Sequence, residues 1–153
     1  MSQALAQPST ALPARPARSV RIGSTSYPVV LPRLADSRLH VAAIVITLHT
    51  LGQVGLGFHV SVPQILSAIL TTALLQVAIT FRETRSFVWP ASAMLTGSGI
   101  ALILRVPSTP VGDHWTFHKW WMFAGIAAFS LLTKFAVRRN GSHVFNPSNV
   151  GLV

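Results

Sequence analysis

From Leu39 to Phe81 the chain carries no Asp, Glu, Lys or Arg, a run of 43 residues. At about 20 residues per membrane crossing, such a run holds two apolar helices and a turn. Gly55, Gly57, His59, Ser61 and Pro63 cluster in its middle. Pro63 suits a first helical position, where the missing N–H leaves no bond unmade. The pattern therefore predicts helices over residues 41–58 and 63–81. Arg82, Glu83 and Arg85 close the second one. A third uncharged run, Ser86 to Leu104, predicts a helix over 87–104, and an apolar run from Trp120 to Val137, broken by Lys134 alone, predicts one over 120–137. None of the four shows a polar stripe at helical period, the mark of a helix with one watered face.

Composition sharpens this into an expected fold class. Only 10% of the 153 residues are charged, half are hydrophobic, and the mean hydropathy is +0.53. A water-soluble domain of this size carries about a quarter charged residues. The expectation is an all-α, polytopic helical membrane protein with about four transmembrane helices. Lys119 and Lys134 reach towards the interfaces, and Trp89, Trp115, Trp120 and Trp121 fall near the helix ends, as an aromatic belt would place them.

The charge distribution orients the expected spans. Twelve Lys or Arg stand against three acids, a formal +9. Five lie before the first helix, two between the second and third, and three after the start of Lys134; only Arg105 and Lys119 fall on the other side. Such a bias puts the N-terminus in the cytoplasm and the chain in a cell membrane, with the lipid bilayer as its first partner. It also removes nucleic acid as the reading of the basic charge, because the cations flank apolar runs and do not line a mixed polar face. The absence of Cys removes thiolate metal sites, disulfides and cysteine nucleophiles.

Residues 1–38 differ from the rest. Pro8, Pro13, Pro16, Pro28 and Pro32 interrupt an Ala, Ser and Arg background with no acid before Asp36. This reads as a disordered basic cytoplasmic tail preceding a transmembrane domain over 39–153. At the other end, Asn146-Pro147-Ser148-Asn149 follows the helix stop Asn140-Gly141 and is a helix-start signal succeeded by apolar residues. Residues 145–153 are accordingly expected to begin a re-entrant or fifth segment, the chain being the front part of a longer protein.

Candidate chemistry is sparse. Thr96-Gly97-Ser98-Gly99 places two glycines and two hydroxyls inside the third helix. Either the helix breaks at Gly97–Gly99, exposing half-helix ends and bare carbonyls to a substrate or ion, or small residues let helices approach closely. Asn146, Pro147 and Asn149 offer amides and side-chain oxygens at a helix start, a second candidate for a transport or ion site, with an ordinary cap as the alternative. His49, deep in the first helix beside Thr50 and near Gln53, is the one clear ionisable group at depth; it serves as a site residue or as a hydrogen-bond donor to a neighbouring helix. Asp113, His114 and His118 lack a third dependable ligand, so no metal is assigned. No G-x-S-x-G, Walker loop or carboxylate pair is present, so the chain holds no self-contained catalytic site; at most it is a membrane subunit of an oxidoreductase complex.

The run K-F-A-V-R-R-N-G-S-H-V-F-N-P-S-N-V-G-L-V from Lys134 to Val153, with the Thr96–Gly99 motif, resembles the N-terminal half of the RnfD/NqrB-like integral membrane protein family. That family holds the D subunit of Rnf electron-transport complexes and the B subunit of the sodium-pumping NADH:quinone oxidoreductase. The flavour is nearest to the UnbU-type branch of enediyne biosynthesis membrane proteins. Phe145, Asn146, Pro147 and Gly151 carry the most specific part, F-N-P-x-x-x-G, and the likeness extends loosely from Arg38 onward. The resemblance implies a bacterial inner-membrane, multi-pass protein of about ten spans, taking part in membrane transport or ion-coupled electron transfer alongside other membrane-complex subunits. It also implies FMN, held through phosphate on a threonine of an S-G-A-T motif; that motif does not occur in this chain. The alternatives are a non-redox export or resistance auxiliary of a natural-product cluster and a structural membrane subunit.

Overall fold

The computed structural model describes residues 18–110, 112–136, 138–139 and 142–143. Among the described residues there are four helices: α1 (Ser37–Val54), α2 (Val62–Thr84), α3 (Ala91–Ile103) and α4 (Trp120–Ala136). They overlap the four expected stretches, α1 starting at Ser37 rather than 41 and α3 at Ala91 rather than 87. Their lengths and surroundings, however, overturn the expected four-span, all-α architecture.

A helix rises about 1.5 Å per residue, so α3 with 13 residues reaches about 20 Å and α4 with 17 about 26 Å, against a hydrocarbon core of about 30 Å. Among the described residues only α2, 23 residues long, joins the length and the hydropathy needed to cross a bilayer. α1 has 18 residues, but Arg38, His40, His49 and Gln53 lie within them. The discrepancy has a local cause. Counting uncharged residues counts turns and strands as well as helix: in the third run Phe87–Val88 is a strand, β3, and Pro90 stands as the N-cap that delays α3.

The second correction is the sheet. Residues 18–30, expected within a disordered tail, form the antiparallel hairpin β1 (Arg18–Ile22) and β2 (Thr25–Val30), turning at Gly23 with φ +63°. β2 then pairs in parallel with β3, Val29 opposite Phe87 and Val30 opposite Val88, giving the order β1-β2-β3. Trp89 N–H extends the pairing to the Val30 carbonyl at 3.0 Å. Tyr27 seats the hairpin on the helices, its ring 5.3 Å from Phe81 at the end of α2 and 6.2 Å from Phe87. Prolines 28 and 32 made this stretch look unstructured, yet Pro28 stands opposite Ser19 on β2, just before the pairing with β3 begins at Val29, so on that side it has no ladder bond to lose. A second small pair, β4 (Arg138–Arg139) with β5 (Ser142–His143), follows α4.

The core lies among α2, α3 and α4. Ile65 and Ala68 from α2, Ile100 and Ala101 from α3, and Phe123 and Ala127 from α4 form it, closed by Val60 and Val106 at one end. α1 packs against α3 alone among its substantial contacts. α1 and α2 join through a short turn, as do α2 and α3 through β3, so successive helices run in alternating directions. The start of α1, the end of α2 and the start of α3 thereby share one end with the sheet. The α1–α2 turn and the long connection over 104–119 share the other.

Candidate functional site

α2 opens with a capping box. Ser61 Oγ accepts from Gln64 N–H at 3.3 Å, and the Gln64 side chain accepts from Ser61 N–H at 2.9 Å. Both side chains are fully buried, so their remaining polar atoms require partners. The connection over 104–119 supplies them. Ser61 Oγ donates to the Thr116 carbonyl and Gln64 Nε2 to the His118 carbonyl, each at 2.6 Å, while Val62 N–H donates to the His114 carbonyl at 2.8 Å. One turn on, Ser67 Oγ reaches the Gln64 carbonyl at 2.8 Å and the Trp120 carbonyl at 3.2 Å. From α1, Gln53 Nε2 donates to the Val60 carbonyl, and Gln53 Oε1 meets His114 Nδ1 at 2.7 Å. The long connection is thus stitched to the α1–α2 turn by hydrogen bonds to backbone. The pattern S-x-x-Q ahead of an apolar run is a sequence signal for this cap; its reach to residues 114–120 is not.

The four residues Thr96, Gly97, Ser98 and Gly99 sit within an unbroken α3, so the broken-helix reading, one of the two alternatives, does not hold. Thr96, Gly97 and Ser98 are buried. A Cβ added at Gly97 would lie 2.5 Å from the Ala68 carbonyl oxygen and 2.6 Å from Thr72 Oγ1, so glycine is what admits the α2 backbone this close. With the helix continuous there are no half-helix ends, and its carbonyls are engaged in the helix. Thr96 Oγ1 bonds the Ser92 carbonyl at 3.1 Å, and Thr72 Oγ1 bonds the Ala68 and Ile69 carbonyls at 3.1 and 2.9 Å. This is the second of the two readings of the motif, close helix approach. α4 adds buried Ser130 to the same bundle interior, and Lys134 Nζ donates to Ser92 Oγ at 2.5 Å, joining the end of α4 to the start of α3.

His49 stands apart from this seam, on the narrow buried stripe of α1 with Gly52. The Val45 carbonyl can only accept, so the 2.9 Å contact places the proton on His49 Nδ1. Nε2 is buried without a partner, as is Gln76 Oε1 on α2. The two lie at different depths: His49 is near the end of α1 and Gln76 past the middle of α2, so they do not form a pair. Asn146, Pro147 and Asn149, together with residues 145–153 as a segment start, lie outside the described residues.

His114 and His118 do not converge. His118 Nε2 meets the Pro107 carbonyl at 3.3 Å while His114 faces Gln53, and among the described residues no group of three His, Cys, Asp or Glu is placed to hold a metal. What the interior offers is mostly hydroxyl and amide groups bonded to backbone, with His49 Nε2 and Gln76 Oε1 left over. It positions helices rather than reacting groups.

No protein-family model, curated protein or solved structure matches the chain. The likeness to the RnfD/NqrB-like family therefore rests on the sequence motifs alone.

Proposed function

We propose that this chain is an integral membrane protein, anchored by α2, that contributes a helical scaffold to a transport or ion-coupled electron-transfer assembly of a bacterial inner membrane. One observation carries the proposal. α2 turns Gln64, Ile65, Ala68 and Thr72 inward and Leu66, Leu70 and Leu74 outward. In water that distribution is inverted, because burying an amide and a hydroxyl while exposing three leucines forgoes the hydrophobic gain. In hydrocarbon it is the expected one: leucines solvate as well in lipid as in protein, and small or hydrogen-bonded polar residues belong between helices.

Two further features support the reading. The apolar 18-residue window of α2 is only 22% buried, unlike the central helix of a water-soluble core. Exposed Ile44, Ile46 and Leu51 on α1 and Phe129 and Leu132 on α4 extend the apolar surface beyond α2. The assembly role rests on the family resemblance of the Lys134–Val153 and Thr96–Gly99 motifs.

Alkaline carbonate extraction of membranes from expressing cells tests the proposal. The chain should stay with the bilayer, and Leu70→Lys should release most of it, since a lysine at mid-helix costs about 2.5–3.5 kcal/mol of insertion. Recovery of the native chain in the carbonate supernatant would refute membrane anchoring.

A further inference from the structure

The sheet end of the bundle gathers charge that the opposite end lacks. Arg18 and Arg21 on β1, Arg33 and Arg38 flanking the start of α1, and Arg82 and Arg85 at the end of α2 are all exposed. Two acids accompany them: Asp36, 3.6 Å from Arg38, and Glu83. At the other end the described Lys and Arg are Arg105 and Lys119, beside Asp113.

Apolar side chains stand exposed among these arginines. Leu34, next to Arg33 in the turn before α1, is 92% exposed, and Val20, Ile22 and Leu31 are exposed with it. An open cleft of about 700 Å³ runs between the β2–α1 connection and the start of α3, lined by Leu31, Pro32, Arg33, Arg38 and Trp89 among others. The platform is structured, because β2 is paired to β3 and Tyr27 is packed on Phe81 and Phe87. Guanidinium groups bind phosphate oxygens with fork geometry, and a protruding leucine beside them is favourable only where an apolar phase begins.

We infer that the sheet end is a docking surface for the headgroups of anionic phospholipids, its arginines on the phosphates and Leu34 in the acyl boundary. This rests on the membrane reading above and adds the class of lipid. Charge complementarity selects the occupant: about six cations at one rim face a leaflet whose anionic lipids attract roughly 1 kcal/mol per Lys or Arg.

The chain has no cysteine, so Leu34→Cys and Leu70→Cys each create a single labelling position. The full chain, fluorescently labelled, is reconstituted into nanodiscs of phosphatidylcholine with about 30% phosphatidylglycerol, one lipid or the other carrying brominated chains. At Leu34, quenching should favour phosphatidylglycerol roughly tenfold, and Arg18→Gln with Arg21→Gln and Arg33→Gln should bring the preference to near unity. Equal quenching by both lipids, or a preference that survives the three substitutions, overturns the inference. A preference erased by millimolar inorganic phosphate without change in bilayer composition assigns the surface to free phosphate and likewise overturns it. The Leu70 label separates the two proposals: quenched by both lipids, it upholds membrane anchoring whatever Leu34 reports; unquenched by either, it removes the anchoring and this inference together.

Discussion

Among the described helices α1 and α2 are the two longest, and both derive largely from the same uncharged stretch, yet they are held in different ways. α2 has a capping box at its start, five buried residues on one flank, and two helices packed against it. α1 buries only His49 and Gly52, and its aliphatic side chains face outward on most of its circumference. Similar apolarity therefore gave dissimilar roles. What sets them apart is the placement of small and polar residues. α2 carries Gln64, Ala68 and Thr72 at helical spacing, which makes a flat, hydrogen-bonded flank for Gly97 to approach; α1 has no comparable stripe, only the Phe58 ring folded over Gly52.

The largest test of that contrast is to truncate an aliphatic side chain in each setting. Leu131→Ala, at a fully buried position of α4 in the three-helix interior, should cost about 2–5 kcal/mol because the cavity cannot collapse. Ile46→Ala on α1, where the side chain is 65% exposed, should stay within about 0.5 kcal/mol. Denaturant unfolding in detergent micelles reads both, and similar losses at the two positions would erase the distinction between the helices.

Next comes Gly97→Ala. Its new methyl meets a backbone carbonyl and a buried hydroxyl, so α2 and α3 must move apart, at about 1–3 kcal/mol. A thermal midpoint unchanged from the native chain would show that the helices are not held this closely. Ser61→Ala removes both the cap and the bond to the Thr116 carbonyl and should cost about 1–2 kcal/mol, with faster hydrogen exchange at residues 62–64 and in the 114–118 connection. Exchange accelerating at 62–64 alone would mean that the connection is held by other contacts. The smallest effect should be of opposite sign. A Cβ at Gly125 on α4 meets nothing within 4 Å, so Gly125→Ala should stabilise by about 0.5–1 kcal/mol through helix propensity, read as a raised unfolding midpoint.

Several features were legible before any coordinates. Pro63 stands where its missing N–H is harmless, and the four apolar runs overlap the four described helices. The hairpin was not legible. Arg, Ser and Pro give residues 18–30 a tail-like composition, and the strand partner β3 is two residues long and lies beyond two intervening helices. The β1–β2 pairing is local, across Gly23, but the contact with β3 that seats it is non-local and leaves no periodic trace in the segment. The Thr96–Gly99 motif was legible as exceptional but not as to its purpose. Small residues serve a broken helix and a close crossing alike, and only the position of Ala68 and Thr72 against Gly97 separates them.

By itself the sequence determined where helices form, because hydrophobic runs, caps and prolines act over a few residues at a time. It determined equally that the surface would be apolar, since so few charges cannot cover it. Tertiary structure alone decided which flank of α2 is inside, that α3 runs unbroken, and that residues 18–30 join a sheet at the arginine-rich end. Those outcomes depend on side chains and strands distant in the chain meeting in space, where steric fit and backbone hydrogen bonding, rather than composition, choose among arrangements of equal hydrophobicity.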